Sequence, residues 1–439
     1  MRHLAPSPLS LLLLASLPFA AIQEPPDPFV RVELANGVRA AILAVEGAER
    51  ESFLTFLPLG LYGDGPHRAQ FAHLLEHLVI RTTDPDSLQA EGLELNGETM
   101  GGFLRLDAYA DPAHWREALA RHRRWLAPGA FDAAVLAREK ERIAGELAAT
   151  VPAGFTHKWA AAAWSQVAGH GLPSARVRGD VEAATIAEAM DYAAERLAGS
   201  GEVLVVAAGP IPAAEVAKAI EAELGSLPAR APAKEARVSA PGPRSGDLAA
   251  TWDLAARHYL EWYPVPAAEP ADRAAAFVLA QRLAQLLYTS EDPRLASGTA
   301  LATLDFIPPL GRAITISVSL GADAVVEEVR AALRAELDGV LAAGRRLPAV
   351  EVTIAQLRGQ VGQLPAFDAL RRQLAGRGSS ALVEAQIALN LASQERVVGL
   401  TTPALAAALE TLDAPRVAAL ASERLNAGNR SSLRLEPVR

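Results

Sequence analysis

The chain has 439 residues, half of them apolar, enough to bury a large core and to build two or three domains. Its 42 Lys and Arg stand against 51 Asp and Glu, a net charge of -9, so it lacks the basic footprint that nucleic acid requires. The densest basic run, Arg121, His122, Arg123 and Arg124, has helical spacing and reads as a solvated helix face.

The chain opens with Arg2 and His3, an apolar stretch from Leu9 to Ala15, then Pro18, Ala20 and Ala21. That is the layout of a secretory leader over residues 1–21, so the expected location is the periplasm or outside the cell. The apolar part is too short to cross a bilayer, and no other stretch reads as transmembrane. With no Cys, an exported protein must be held by core packing and metal instead of disulfides.

Val30 to Leu43 alternates around Asn36-Gly37 and predicts a β-hairpin. Phe53 to Leu59 reads as a strand, Gln70 to Ile80 as a helix, and Phe103 to Tyr109 as another strand. Helical patterns follow over Pro112 to Ala127 and Phe131 to Thr150, the second with Asp132 near its N-cap. Gly201 to Ala208 reads as a buried strand and Ala213 to Leu224 as a helix, closing a first domain over residues 28–228. Residues 229–247 are rich in Pro, Ala and Gly, without periodicity, and read as a linker. Residues 248–439 repeat the coarse order: a strand at His258 to Tyr263, a helix at Ala271 to Tyr288, a strand at Ala313 to Leu320 and a helix at Ala324 to Ala343. Two similar α+β halves are the simplest reading.

His73-Leu74-Leu75-Glu76-His77 places two imidazoles four residues apart, about 40° apart on one helix face, so both reach a single ion. Zinc binds imidazole and, in hydrolases, keeps three protein ligands and an open position for water. Glu76 lies about 60° from His73 around the helix and is the candidate general base. The third ligand must come from elsewhere. Glu139 and Glu146 share a face of the following helix but are separated by about 10 Å along it, so only one can bind, and spacing does not choose between them. Nor do the ligands fix the substrate, since the same set serves hydrolases of several kinds.

Beyond this motif the chain resembles the pitrilysin or insulinase-like metallopeptidases, the inverzincins, whose signature is H-x-x-E-H. Leu34-Ala35-Asn36-Gly37-Val38 is similar to their opening L-x-N-G-x hairpin, and Ala72 to His77 to their A-H-x-x-E-H helix. Glu91-Gly92 to Thr99 resembles their G-G-x-x-N-A-x-T segment, Pro128 to Glu146 their P-x-F-D, E-K/R and final E pattern, and Gly179-Asp180 to Leu227-Pro228 the end of their first domain. The resemblance implies two homologous α+β domains of the LuxS and processing-peptidase type, each an antiparallel β-sheet flanked by α-helices, with zinc only in the first. It implies Glu146 as the third ligand and Glu139 as an acidic support behind the ligands. It also implies a peptide substrate that adds a strand beside Asn96 to Thr99, a form of β-augmentation, so that Asn96 and Thr99 meet it. For Asn96 the other reading is an ordinary turn residue before Gly97.

Two departures stand out. Gln70 occupies a position where the family often has Gly, and Leu301 stands where a Tyr is expected seven residues after Arg294, the candidate substrate-holding Arg. In several members two chains pair, one carrying zinc and the other the Arg and Tyr, which implies a hetero- or homodimer with a similar chain. Two readings follow: a zinc endopeptidase, or a catalytically weak or inactive peptide-binding or assembly subunit that works only with a partner chain.

Overall fold

The computed structural model describes residues 29–81, 92–148, 153–170, 174–198, 203–228, 246–265, 269–296, 298–307, 311–342, 348–362 and 395–438. The leader reading of residues 1–21 and most of the linker reading of residues 229–247 lie outside them.

The hairpin forms as the sequence predicts: Val30–Glu33 (β1) pairs antiparallel with Arg39–Ala44 (β2) across Gly37, whose φ of 85° is one that glycine adopts without strain. Asn36 holds the turn by accepting from Val38 N (3.2 Å) and donating to the Leu224 carbonyl (2.7 Å), which ties it to the end of a helix far along the chain. Glu51–Leu57 (β3) stops at Pro58, which has no N–H to donate. With Leu93–Thr99 (β4), Leu104–Ala110 (β5) and Leu204–Gly209 (β7), these strands form a six-stranded sheet in the order β1-β2-β7-β3-β5-β4. Its pairs are antiparallel except β2 with β7, and β4 forms one edge.

The helices of this part are Phe71–Arg81 (α1), Trp115–Leu126 (α2), Ala133–Ala148 (α3), Ala153–His170 (α4), Gly179–Ala183 (α5), Ile186–Ala198 (α6) and Ala213–Leu224 (α7). Asp132 caps α3 as expected, its Oδ1 accepting from Ala134 N (2.7 Å) and Val135 N (3.1 Å). The basic run on α2 is not uniformly solvated: Arg121 and His122 are buried and Arg123 and Arg124 exposed. The 3.6-residue period puts positions 121 and 122 on the inward face with Ala118 and Trp125, where His122 Nδ1 lies 2.7 Å from Thr55 Oγ1.

A second six-stranded sheet runs in the order β10-β11-β9-β12-β8-β6. It comprises Ser174–Ala175 (β6), Gly246–Trp252 (β8), Arg257–Pro264 (β9), Ala300–Ile307 (β10), Gly311–Leu320 (β11) and Ser431–Pro437 (β12). β12 and β6 both run parallel to β8, which begins two residues inside the expected linker. Pro270–Tyr288 (α8), Val326–Ala342 (α9), Pro348–Gly362 (α10), Thr402–Thr411 (α11) and Ala414–Arg424 (α12) complete the described α-helices, and residues of α8, α9, α11 and α12 share a core with Ile314, Ile316 and Val318 of β11. The fold class is therefore α+β, two mixed sheets flanked by helices.

α4 joins the two halves. It packs against β9 and β11, and its Trp164 stacks on Trp262 of β9 with ring centroids 4.2 Å apart and planes 15° apart, both rings fully buried. Among the described residues no helix is long and apolar enough to cross a membrane.

Four buried titratable groups shape the stability of this fold. Burial pushes His122 and His258 down from 6.5 to about 3, so the folded chain binds fewer protons than the unfolded one below pH 6.5, and their contribution is lost as pH falls toward 3. Burial raises Glu51 from 4.5 to about 8 and Asp64 from 3.8 to about 7, so their contribution is lost as pH rises through those values. The opposing slopes offset one another between pH 4.5 and 6.5. Urea midpoints measured from pH 3 to 9 are expected to show a plateau there and a decline on both sides; a midpoint still rising from pH 7 to 9 would contradict this assignment.

Candidate metal and catalytic site

α1 carries the H-x-x-E-H residues between the first sheet and α3. It lies on the edge strand at Gly97, where a Cβ would fall 2.8 Å from Glu76 Cγ and 2.5 Å from Ile80 Cδ1, so only glycine allows this approach. Its start is fixed by the buried Asp64, whose Oδ1 accepts from Ala72 N (3.3 Å) and from the Tyr192 hydroxyl (2.6 Å).

The two imidazoles are anchored alike, although their rings stand nearly perpendicular, at 82°. His73 Nδ1 lies 3.1 Å from Gln70 Oε1, and His77 Nδ1 lies 3.0 Å from Glu139 Oε2. Each Nδ1 is thus engaged from behind, which leaves the Nε2 atoms facing Glu146: its Oε2 is 3.3 Å from His73 Nε2 and 3.8 Å from His77 Nε2. All three ligand atoms lie within 4.8 Å of one another. Tetrahedral ligands at zinc distances of about 2.0–2.1 Å sit roughly 3.3–3.4 Å apart, so this donor set fits the ion after a small contraction. The side chain of Glu146 is half exposed, which leaves room for a fourth, open position.

The electrostatics agree with ligation. The neighbouring His73 imidazole holds Glu146 below the ordinary carboxylate value, and burial, with the His73 charge second, holds His77 below its ordinary value and favours the neutral imidazole that binds metal. Glu139 is almost fully buried and is also approached by Arg81 Nε (3.4 Å) and Arg142 Nη1 (3.7 Å). Periodicity left Glu139 and Glu146 equivalent, whereas the structure separates them: Glu146 faces both Nε2 atoms and Glu139 stands behind His77.

Glu76 is buried, and its Oε2 accepts from Thr99 Oγ1 at 2.6 Å. Thr99, expected to meet a substrate, thus turns its hydroxyl toward α1. Asn96 lies in the extended β4, opposite Asp107, with its side chain exposed, so the turn reading does not hold for it. Arg294 is exposed, pairs with Asp292 (2.6 Å) and Glu328 (3.4 Å), and has no described contact with the His73, His77 and Glu146 cluster. Leu301 is half-buried on β10 opposite Ser317.

The sequence reading missed two contributors. Lys158 on α4 donates from Nζ to the Thr99 carbonyl (2.8 Å) and lies within electrostatic reach of Glu76, Glu98 and Glu146; burial pulls its pKa down. Its neighbour His157 points to the second sheet, with Nδ1 2.5 Å from Ser317 Oγ and Nε2 3.3 Å from Asp305 Oδ2. Asp305 also binds the buried Tyr62, whose ring packs on Gly101 just beyond Thr99. The second sheet thereby braces the end of the edge strand. No motif announced these residues, because they meet only when α4 lies between the sheets.

Among solved structures, a protease from Helicobacter pylori matches at a TM-score of 0.63 and 14% identity, over 93% of this chain and 99% of that one. The periplasmic protease PqqL from Escherichia coli matches at 0.62 and 15% identity over 95% of this chain and 48% of its own, so this chain spans about half of it. The peptidase M16 inactive domain from Pseudomonas fluorescens matches at 0.61 and 14% identity, over 94% of this chain and 98% of that domain. No protein-family sequence model and no curated protein sequence matches the chain.

Proposed function

Because the chain has the fold of the pitrilysin-like M16 peptidases, we propose that it is a zinc-dependent endopeptidase acting on peptides or small unfolded proteins. The observation that carries this reading is the convergence of His73 Nε2, His77 Nε2 and Glu146 Oε2, each imidazole held from behind by an acceptor. Zinc held there would supply Lewis acidity, acidifying water and polarising a scissile carbonyl. Glu76 takes the proton from the attacking water and passes it to the leaving amine as the C–N bond breaks. Thr99 fixes the Glu76 carboxylate by its hydroxyl, and the Lys158 cation offsets negative charge gathered at the site. The substrate strand adds to the β4 edge, where Asn96 is exposed beside it.

With Leu301 in place of a hydroxyl donor and Arg294 engaged by two acids, this chain's second half supplies no neutral donor for the oxyanion at the positions the resemblance indicates. A partner chain of similar architecture that carries the hydroxyl donor completes the site in a heterodimer, whereas a second copy of this chain would bring the same Leu301. The leader pattern, and the periplasmic label of the PqqL match, support an exported location. The test is metal content and cleavage of quenched-fluorescence peptides by the purified mature chain, alone and mixed with a similar chain lacking H-x-x-E-H. About one zinc per chain, with cleavage only on mixing, is expected. Cleavage at enzymatic rates by the chain alone would sink the divided site. Zinc without cleavage in any mixture would favour a peptide-binding subunit, and no zinc would remove the basis of the reading.

A further inference from the structure

Gln70 and His67 are the non-glycine residues in the left-handed backbone region among those described, at φ 68° and 62°. In that conformation Cβ crowds the following carbonyl oxygen, so a residue with a side chain persists there only when its surroundings over-determine it. Around Gln70 they do. Its own N–H and that of Ala72 bond to Asp64, Asp180 Oδ2 accepts from Ala69 N (3.0 Å), and its carbonyl accepts the opening helical bond from Leu74 N (2.8 Å).

The side chain of Gln70 does not cap the helix, a task Asp64 performs from outside α1. It is buried and brings its amide oxygen 3.1 Å from His73 Nδ1. An acceptor at Nδ1 fixes that proton and leaves the lone pair on Nε2, the atom 3.3 Å from Glu146 Oε2. His77 receives the same service from Glu139, so the two imidazoles are oriented by a neutral amide and a carboxylate.

We propose that Gln70 is a positioning residue for metal binding, whose left-handed backbone delivers the amide that sets the tautomer and ring orientation of His73. The inference rests on the zinc reading above, so zinc binding by the unsubstituted chain is measured first; its absence would overturn that reading and this one with it. Zinc affinity is then measured by competition with a chromophoric chelator, together with the Tm of the metal-free chain, for Gln70→Gly and Gln70→Glu. Gln70→Gly relaxes the backbone and removes the acceptor. Its Tm is expected to hold or rise while zinc affinity falls about 10-fold or more. Gln70→Glu keeps an acceptor and is expected to keep the affinity. Undiminished affinity in Gln70→Gly would overturn the proposal. So would an equal loss in both variants, or a loss accompanied by a lowered Tm or failure to fold in Gln70→Gly, since either makes the residue merely structural.

Discussion

A Glu76→Gln chain is expected to bind zinc as the unsubstituted chain does and to cleave peptides about 10²–10⁴-fold more slowly, under whichever partner condition gives activity. The amide is nearly isosteric with the carboxylate and still accepts from Thr99 Oγ1, so α1 keeps its seat on Gly97 and the two imidazoles keep their orientation. What disappears is the ability to take a proton from water and deliver it to the departing amine. Metal analysis beside kcat separates the two roles that the five-residue motif combines. A variant with full zinc and undiminished kcat would remove Glu76 from the mechanism and leave the buried carboxylate as a structural group.

Trp262→Ala is expected to cost about 3–5 kcal/mol of unfolding free energy, among the largest effects available to one substitution here. Trp262 is 1% exposed and lies flat on Trp164, so truncation removes its own burial and leaves the second indole facing a void between α4 and β9. Urea unfolding followed by tryptophan fluorescence checks this, and a loss below about 1 kcal/mol would mean that the site collapses to fill the gap. Because α4 also carries Lys158 against Thr99, the same variant should loosen the end of the edge strand.

The parts of the fold legible in the sequence are those whose signal is local. The Asn36-Gly37 hairpin, the Asp132 cap and the span of α7 follow from turn chemistry, capping and a clean amphipathic period. α4 was not legible, because an Ala-rich helix buried between two sheets has no polar face and therefore no period to detect. The same limit applied to Arg121 and His122, where charge suggested solvent but the helical period set them inward. At the site, two imidazoles one turn apart could be read from five letters, while the distinct placements of Glu139 and Glu146 depend on how α3 crosses α1. Gln70 was visible only as a departure from an expected Gly, which marks a backbone requirement but says nothing of where an amide would point.

Because α4 and β6 precede residue 228 yet pack on the second sheet, a cut at residue 228 does not separate two folding units. A fragment ending at residue 228 would keep the zinc-ligand candidates but strip Trp164 and its alanine neighbours of their cover, exposing an apolar strip of the kind that drives aggregation. The second half, expressed alone, would lose β6 from its sheet edge together with the helix that shields Trp252 and Trp262. Any rearrangement that exchanged whole halves between related chains would therefore have to carry residues 153–175 with the second sheet, or replace them with another segment shaped to fit it.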